Sequence, residues 1–368
     1  MRVAEVCHYY LPHIGGIELY VHRVARDLIA GGDECRIFSS RASGFAPGEP
    51  VTYLPSLLPR NPPLLGLRRA LAEFRPDVVH AQSIWFWPSV QAARAKEKLG
   101  YRIVNSVHGV WPDDSQFAVG AFVRLFQPLA QYVLHRSDLV IVYNAVERER
   151  ILRRFKVDPG RIFEVAMGAD AVAAPPAALA EVRRRYGRFI LFTGRIIPDK
   201  NAHVLAEAFS RLALDGLKLV FVGPADSTYR SRLLLARNVI VEEPIDPVSG
   251  GERLAALYAA AEVSVVIGSW EGLPTRVIES LAQSTPVVAY ASGGMSGLLR
   301  DGDNALLTEA IEPAAVAQAL RRWFAMAEAE KAEMRRRARA SAQDYLWPAK
   351  FAQIRAVLRQ AASLRPQG

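Results

Sequence analysis

The sequence predicts an α/β protein built from two parallel-sheet domains, and three observations carry that expectation. Short apolar runs alternate with helical patterns from the N-terminus to about residue 165. The alternation stops in "AVAAPPAALAEVRRRYG", residues 171–187, which is rich in Ala and Pro and has no strand pattern. It restarts at Phe189 and runs on through the second half. Strand–helix alternation is the signature of parallel strands joined by crossover helices, the Rossmann-like arrangement. At 368 residues the chain has the length of two domains, each of about 150–200 residues.

In the first half the apolar runs that read as buried strands are Val3–Cys7, Cys35–Phe38, Val78–Ala81, Ile103–Val107, Leu139–Val142 and Ile162–Val165. Helical spacing fills the gaps near 17–30, 66–75, 85–99, 117–136 and 145–155. In the second half the strands are Phe189–Phe192, Leu217–Val222, Val239–Val241, Val263–Ile267 and Pro286–Ala289. Helices are expected near 201–213, 227–236, 251–260, 275–283 and 312–327. The stretch 329–362 is helical and charged on one side, interrupted at Trp347-Pro348. The expected boundaries are a first domain at 1–170, a linker at 171–187 that contains a short helix, a second domain at 188–345, and a C-terminal helix at 346–368 that returns to the first domain.

Composition bounds the function without naming it. Half of the residues are hydrophobic, ample for packed cores and too rich for disorder. The two cysteines, Cys7 and Cys35, lack metal-ligand spacing and suit a reducing compartment. The N-terminus lacks a signal-peptide pattern and no apolar run reaches the ~18 residues of a membrane span. A cytoplasmic protein is therefore expected. The 46 basic residues, mostly arginine, outnumber 37 acidic ones, and the excess is spread over both halves. Phosphorylated small molecules and anionic lipid fit that charge. A nucleic-acid partner is not expected, because no motif or concentrated basic stripe supports one.

In open parallel sheets ligands bind outside the carboxyl ends of the strands, and three stretches with site chemistry lie there. Gly15 and Gly16 in "HIGGIELY" follow the first strand and open a helix, where bare backbone and free amides favour an anion. Arg195 and Lys200 in "FTGRIIPDKN" follow the first strand of the second half, a planar fork and a point charge suited to a diphosphate. "GSWEGLPTRVIES" places Glu271 just before a helix and Glu279 inside it, with Pro274 at the helix start. Those acids suit hydroxyl groups, and the amides from Thr275 onward lie at the positive helix end. His108 in "SVHGVW" follows a strand beside Gly109, as a cleft loop would; His80 in "DVVHAQ" reads as a core histidine.

Together these stretches resemble the family-4 glycosyltransferases of the GT-B fold. "SWEGLPTRVIES" with "PVVAYASGG" is similar to the family's E-x7-E element, "FTGRIIPDKN" to its G-R-x-x-x-x-K-N element, "GGIE" to its Gly-Gly loop and "MGAD" to its N-G-V-D. The resemblance covers about residues 1–345, in order and in register.

It implies two Rossmann-like domains facing across a cleft and a retaining transfer of a sugar from a nucleotide-diphosphate sugar, without metal or other cofactor. Arg195 and Lys200 would hold the diphosphate, Glu279 the ribose, and Glu271 the sugar; His108 would touch the transferred sugar. Gly15, Gly16, Gly272, Leu273, Thr275 and Arg276 would complete the donor site. "DGD", Asp301 to Asp303, reads as an ordinary loop and not a metal motif.

Pro274 stands where the family often has Gly, Met167 where it has Asn, and Gly297 where a Glu often stands three residues after the pair Gly293-Gly294. The expected acceptor is a glycan or lipid-linked hydroxyl bound by the first domain. Leu64, Leu67, Leu71 and Phe74, with Arg68, Arg69 and Arg75 nearby, suggest peripheral contact with an anionic membrane. The rival readings are a nucleotide-sugar epimerase on the same fold and a non-catalytic sugar-nucleotide-binding subunit of a larger synthase.

Overall fold

The computed structural model describes residues 1–364 apart from Ile14, 41–47, 57–60, 110–116, Ala171, 247–249, Trp270, Gly272 and 291–292. The chain divides into two compact units. The first is Met1–Ala166 together with Lys350–Gly368, and the second is Met167–Ala349.

The first unit holds a seven-stranded sheet of β1 (Arg2–Val6), β2 (Glu34–Ser40), β3 (Val51–Leu54), β4 (Val78–Gln82), β5 (Arg102–Ser106), β6 (Leu139–Val142) and β7 (Ile162–Glu164). The spatial order is β3-β2-β1-β4-β5-β6-β7 and every described pairing is parallel. The direction of winding reverses between β1 and β4, which opens a crevice at their carboxyl ends. The core of this unit runs from Val6, Val79 and Ile103 in the sheet to Leu71, Val90 and Val133 in the covering helices. β3 has no counterpart among the expected strands: its residues "VTYL" are half-buried at the sheet edge and carry no continuous apolar run.

The second unit holds six strands: β8 (Arg188–Thr193), β9 (Leu217–Val222), β10 (Val239–Glu242), β11 (Ser264–Val266), β12 (Val287–Ala289) and β13 (Ala305–Leu307). The order is β10-β9-β8-β11-β12-β13, again parallel. Here the reversal lies between β8 and β11. β13, "ALL", is an apolar run cut off by Asn304 and Thr308 and lacks the β-branched residues that mark β11 and β12.

Two expectations change on inspection, the helix in the linker and the apolar helix at 67–74. The helix Pro176–Tyr186 lies inside the stretch expected to link the domains, but it belongs to the second unit. Its Val182 and Tyr186 pack with Phe189, Leu191 and Leu257. The C-terminal segment contains two helices, Glu328–Ala342 and Trp347–Ser363. The second of them joins the first unit, where Arg355 pairs with Asp27 at 2.6 Å. Finally, Leu64, Leu67, Leu71 and Phe74 are all at most 2 % exposed. The apolar side of the helix Leu67–Phe74 packs into the core, so it offers no surface to a membrane. Among the described residues, no helix is long and apolar enough to cross a membrane.

Candidate active site

In the second unit the chemistry gathers at the winding reversal. β8 ends in Thr193, and Gly194 turns away with φ +111°, a left-handed conformation that suits glycine. A Cβ at Gly194 would stand 2.9 Å from Arg276 Nη1, so the bare backbone also admits that guanidinium. Gly223, after β9, has φ +150°, and a Cβ there would collide with Gly194 O. Two glycines thus let the chain ends of neighbouring strands approach each other.

Arg195 is exposed and makes no ion pair with a described residue. Lys200 closes the short 3-10 turn Pro198–Lys200. Asn201 follows with φ 56° and donates to Ile267 O (2.8 Å) and Ser269 Oγ (3.0 Å), which ties this loop to the one after β11. Lys200 Nζ donates to Glu271 Oε1 at 2.7 Å, and Arg276 Nη2 donates to the same oxygen. The side chains of Lys200, Glu271 and Arg276 are 14 %, 7 % and 14 % exposed, so two cations share one carboxylate away from bulk water and leave a net positive charge. Gly268 makes room for this cluster, since a Cβ there would collide with Glu271 Oε1.

Thr275 and Arg276 open the helix Thr275–Ala282, with Pro274 as the residue before its first turn. Leu273 is buried; Gly272 lies outside the described residues. Glu279, one turn further on, accepts from Tyr258 OH at 3.2 Å, and Tyr258 OH lies 2.7 Å from Thr193 Oγ1. Burial raises the Glu279 carboxyl above its usual range, against the lowering effect of bonds from Tyr258 and Thr275. Arg276 thus has a carboxylate cluster on one side and Glu279 on its own helix.

In the first unit, Gly15 precedes the helix Gly16–Ala30. A Cβ at Gly15 would collide with Glu18 Oε2, whereas one at Gly16 meets nothing within 4 Å. The missing side chain at Gly15 is therefore explained by Glu18, whose carboxylate folds back on the helix start and meets His13 Nδ1 at 2.9 Å. Gly16 is the open position.

His108 follows β5 with φ 56°, and Gly109 continues at φ 106°. Glu147 holds this turn: its carboxylate accepts from Gly109 N and Tyr143 N, each at 2.6 Å, and its own amide caps onto Asn144 Oδ1. Burial raises the Glu147 carboxyl, and those two amides oppose the rise.

Beneath the turn lies a buried polar chain. Glu5 accepts from His80 Nδ1 (2.8 Å) through Oε1 and from Gln82 Nε2 (2.7 Å) through Oε2. Gln82 Oε1 lies 2.6 Å from His108 Nε2, and Tyr143 OH 2.7 Å from His108 Nδ1. The amide orientation decides the tautomer. With Gln82 Nε2 spent on Glu5, its oxygen must accept, so His108 Nε2 carries the proton and Nδ1 accepts from Tyr143. Burial lowers the His108 pKa well below its usual value, with the neighbouring histidines His80 and His8 adding to the effect. A neutral, oriented imidazole results. His80 itself is a satisfied core residue, fully buried between Glu5 and Ser106 Oγ.

The structure thus joins Lys200, Glu271 and Arg276 directly, places Arg195 and Glu279 on the adjoining loop and helix, and puts His108, Gly15 and Gly16 at the carboxyl end of the other sheet. Sequence reading missed Tyr258, Gln82, Glu5, Tyr143 and Glu147. Glu5, Gln82 and Tyr258 are isolated polar residues among apolar neighbours, Tyr143 ends an apolar run and Glu147 lies in a charged helix, and only the pairing partner reveals the role of each. The loop "DGD" is a structural staple, with Asp301 pairing to Arg322 at 2.9 Å and Asp303 to Arg337 at 3.0 Å.

Comparison with known proteins decides the family. Residues 14–172 match the profile "Glycosyltransferase Family 4" and residues 181–344 match "Glycosyl transferases group 1". The chain belongs to the family-4 glycosyltransferases of the GT-B fold. It is 28 % identical to the D-inositol 3-phosphate glycosyltransferase of Mycolicibacterium gilvum over 84 % of this chain and 77 % of that one.

In fold, this glycosyltransferase is similar to sucrose-phosphate synthase from Thermosynechococcus elongatus, with TM-score 0.80, 20 % identity and 98 % of each chain covered. It is also similar to HepE of Anabaena, solved in complex with UDP-glucose, with TM-score 0.78 and 18 % identity, covering 98 % of this chain and all of that one.

Proposed function

We propose that this glycosyltransferase moves a sugar from a nucleotide-diphosphate sugar to an acceptor hydroxyl of a polyol or glycan, with retention of anomeric configuration and without a metal ion. The observation that carries this reading is the cluster at the winding reversal of the second sheet: Lys200 and Arg276 on Glu271, Arg195 on the adjoining loop and Glu279 one helical turn on.

Bond cleavage at the anomeric carbon leaves negative charge on the departing diphosphate. Fixed cations stabilise that charge without reorganising at the moment of reaction. Arg195 and Lys200 supply two such cations. The amides at the start of the helix Thr275–Ala282 add the positive helix end. Glu279 accepts hydroxyl hydrogen bonds from the ribose, and Glu271 and Leu273 adjoin the sugar. Gly16 offers open backbone in the first unit, where Gln82 and Tyr143 hold His108 neutral and oriented.

A uridine nucleotide is the first donor to test, since HepE was solved with UDP-glucose. Two acceptor classes have support. The similar D-inositol 3-phosphate glycosyltransferases point to a phosphorylated polyol. The fold likeness to WaaG, a glycosyltransferase of lipopolysaccharide biosynthesis, at 17 % identity and TM-score 0.72, leaves a lipid-linked glycan as the second.

The experiment is a thermal-shift screen of nucleotide sugars followed by turnover of those that bind, since a ligand specific to the folded state raises the melting temperature with its concentration. A binding donor whose transfer or hydrolysis falls at least about 100-fold in Lys200→Ala supports the reading. Binding without any turnover would instead favour a non-catalytic subunit. Conversion of the donor to its epimer would favour an epimerase.

A further inference from the structure

Glu271 serves two cations through one oxygen. Lys200 Nζ and Arg276 Nη2 both donate to Oε1. An arginine on a carboxylate usually engages it with two parallel bonds, yet Arg276 spends one amino group there. Its Nε is buried with no hydrogen-bond partner, and Nη1 lies against the bare backbone of Gly194. The guanidinium therefore holds donors in reserve at the end of β8. Arg195, beside it in the chain, carries no ion pair to a described residue.

The formal charges also point to a missing anion. Arg195, Lys200 and Arg276 bring three positive charges against the two carboxyl groups Glu271 and Glu279. The cluster is therefore net cationic and suits an added anion such as the diphosphate of a nucleotide sugar. A diphosphate that took the cations while Glu271 remained between them would press like charges together in a poorly solvated place.

We propose that Glu271 is an internal substitute for the donor diphosphate: it holds Lys200 and Arg276 in the free protein and releases them to the diphosphate, with Arg276 as a third phosphate ligand beside Arg195 and Lys200. The inference rests on the donor class proposed above and goes beyond it in the exchange and in the role of Arg276. Once released, the Glu271 carboxylate becomes free for the hydroxyls of the attached sugar. The grip on the sugar is then coupled to arrival of the diphosphate. A sugar without a diphosphate meets a carboxylate that is already engaged. Glu18 repeats the pattern in the first unit, where its carboxylate folds back on the Gly15-Gly16 helix start.

The test is calorimetric binding of inorganic pyrophosphate and of uridine diphosphate to wild type, Glu271→Gln and Arg276→Leu. Gln keeps the shape of Glu271 and removes the competing charge. The expected result is pyrophosphate affinity about tenfold tighter in Glu271→Gln and about tenfold weaker in Arg276→Leu, one charge-assisted contact in each direction. Glu271→Gln leaves two buried cations unpaired, so saturating pyrophosphate should also raise its melting temperature more than that of wild type.

Equal or weaker pyrophosphate binding in Glu271→Gln overturns the exchange. Unchanged binding in Arg276→Leu overturns the third ligand. Should Glu271→Gln not fold, Glu271→Asp, which withdraws the carboxylate by one methylene, takes its place and should shift affinity in the same direction. If wild type binds nucleotide sugars while the variants match it, this proposal alone falls. If wild type binds neither pyrophosphate nor any nucleotide sugar, the donor reading falls with it.

Discussion

Gln82→Leu is the sharpest test of how the first unit prepares its histidine. Gln82 is fully buried and bridges Glu5 Oε2 at 2.7 Å to His108 Nε2 at 2.6 Å. Leucine fills nearly the same volume and makes neither bond. Glu5 then loses one of its two buried donors, a hydrogen bond to a charged group worth about 1.5–3 kcal/mol. His108 keeps an imidazole N–H with no acceptor, a penalty of about 1–3 kcal/mol. Together the loss should be about 3–5 kcal/mol. In a unit of this size that lowers the melting temperature by roughly 10 °C, at 2–4 °C per kcal/mol.

Differential scanning calorimetry at pH 7 measures the loss. Long-range 1H–15N correlation of the His108 ring reads the second consequence. Wild type should show a single Nε2–H tautomer, and Gln82→Leu a mixture. Gln82→Glu is the informative control. It restores an acceptor for His108 but sets a second carboxylate against Glu5, so its deficit should grow as pH rises through the carboxylate range. A Gln82→Leu loss below about 1 kcal/mol, the ordinary scale of a point substitution, or a wild-type Nδ1–H tautomer, would refute the hydrogen-bond assignment along Glu5–Gln82–His108.

The remaining predictions concern the other groups of the two sites. Gly268→Ala should fold but displace Glu271, because a Cβ would stand 3.0 Å from its Cδ and 3.1 Å from its Cγ. Donor turnover should drop about 100-fold, while Gly223→Ala, whose Cβ meets backbone at Gly194, should instead lower stability by about 1–3 kcal/mol; paired kinetics and urea melts separate the two outcomes.

Glu279→Gln should stabilise the protein above pH ~4.5. The raised wild-type carboxyl binds its proton more tightly when folded than unfolded, so wild-type stability falls as pH rises through that window, and the amide does not titrate. The same variant should weaken nucleotide binding by about tenfold, and denaturation curves across pH 3–7 with calorimetric titration check both.

His8 is buried against Phe86, at 3.9 Å between ring centres, and desolvation pulls its pKa from 6.5 to about 4. The unfolded chain takes up that proton first, so wild type should lose about 3 kcal/mol between pH 6.5 and 4. His8→Phe should remove that loss, and its stability advantage over wild type should grow by this amount on acidification from pH 7 to pH 4. A constant difference across that range would count against the buried neutral state.

The reach of the sequence can be judged residue by residue. Central strands were legible because they are continuous apolar runs: Leu217–Val222 and Leu139–Val142 match the expected bounds to the residue. β3 and β13 were not, since an edge strand that is only half-buried and a short run without β-branched residues leave no strand signal. The amphipathic helix at 67–74 shows a different limit. Its pattern fixed which side was apolar, yet the same pattern fits a membrane and a protein core. Only the buried Leu64, Leu67, Leu71 and Phe74 decide for the core.

For the site, residue types with strong local context were readable, and pairings were not. Lys200 and Glu271 stand 71 positions apart, and nothing local ties them; Gln82 and Glu5 are 77 apart. Topology brings each pair together: the strands they follow are neighbours at the winding reversals β8–β11 and β1–β4. The same reason explains why glycines cluster there. Gly194, Gly223 and Gly268 follow adjacent strands, and each clears space for a nearby atom: Arg276 Nη1, Gly194 O and Glu271 Oε1 respectively. A chain that must bring two cations onto one carboxylate within hydrogen-bond reach cannot do so with side chains at every strand end. The bare backbone is what lets the charged groups meet, so the glycines are as much a part of the charge arrangement as the residues that carry it.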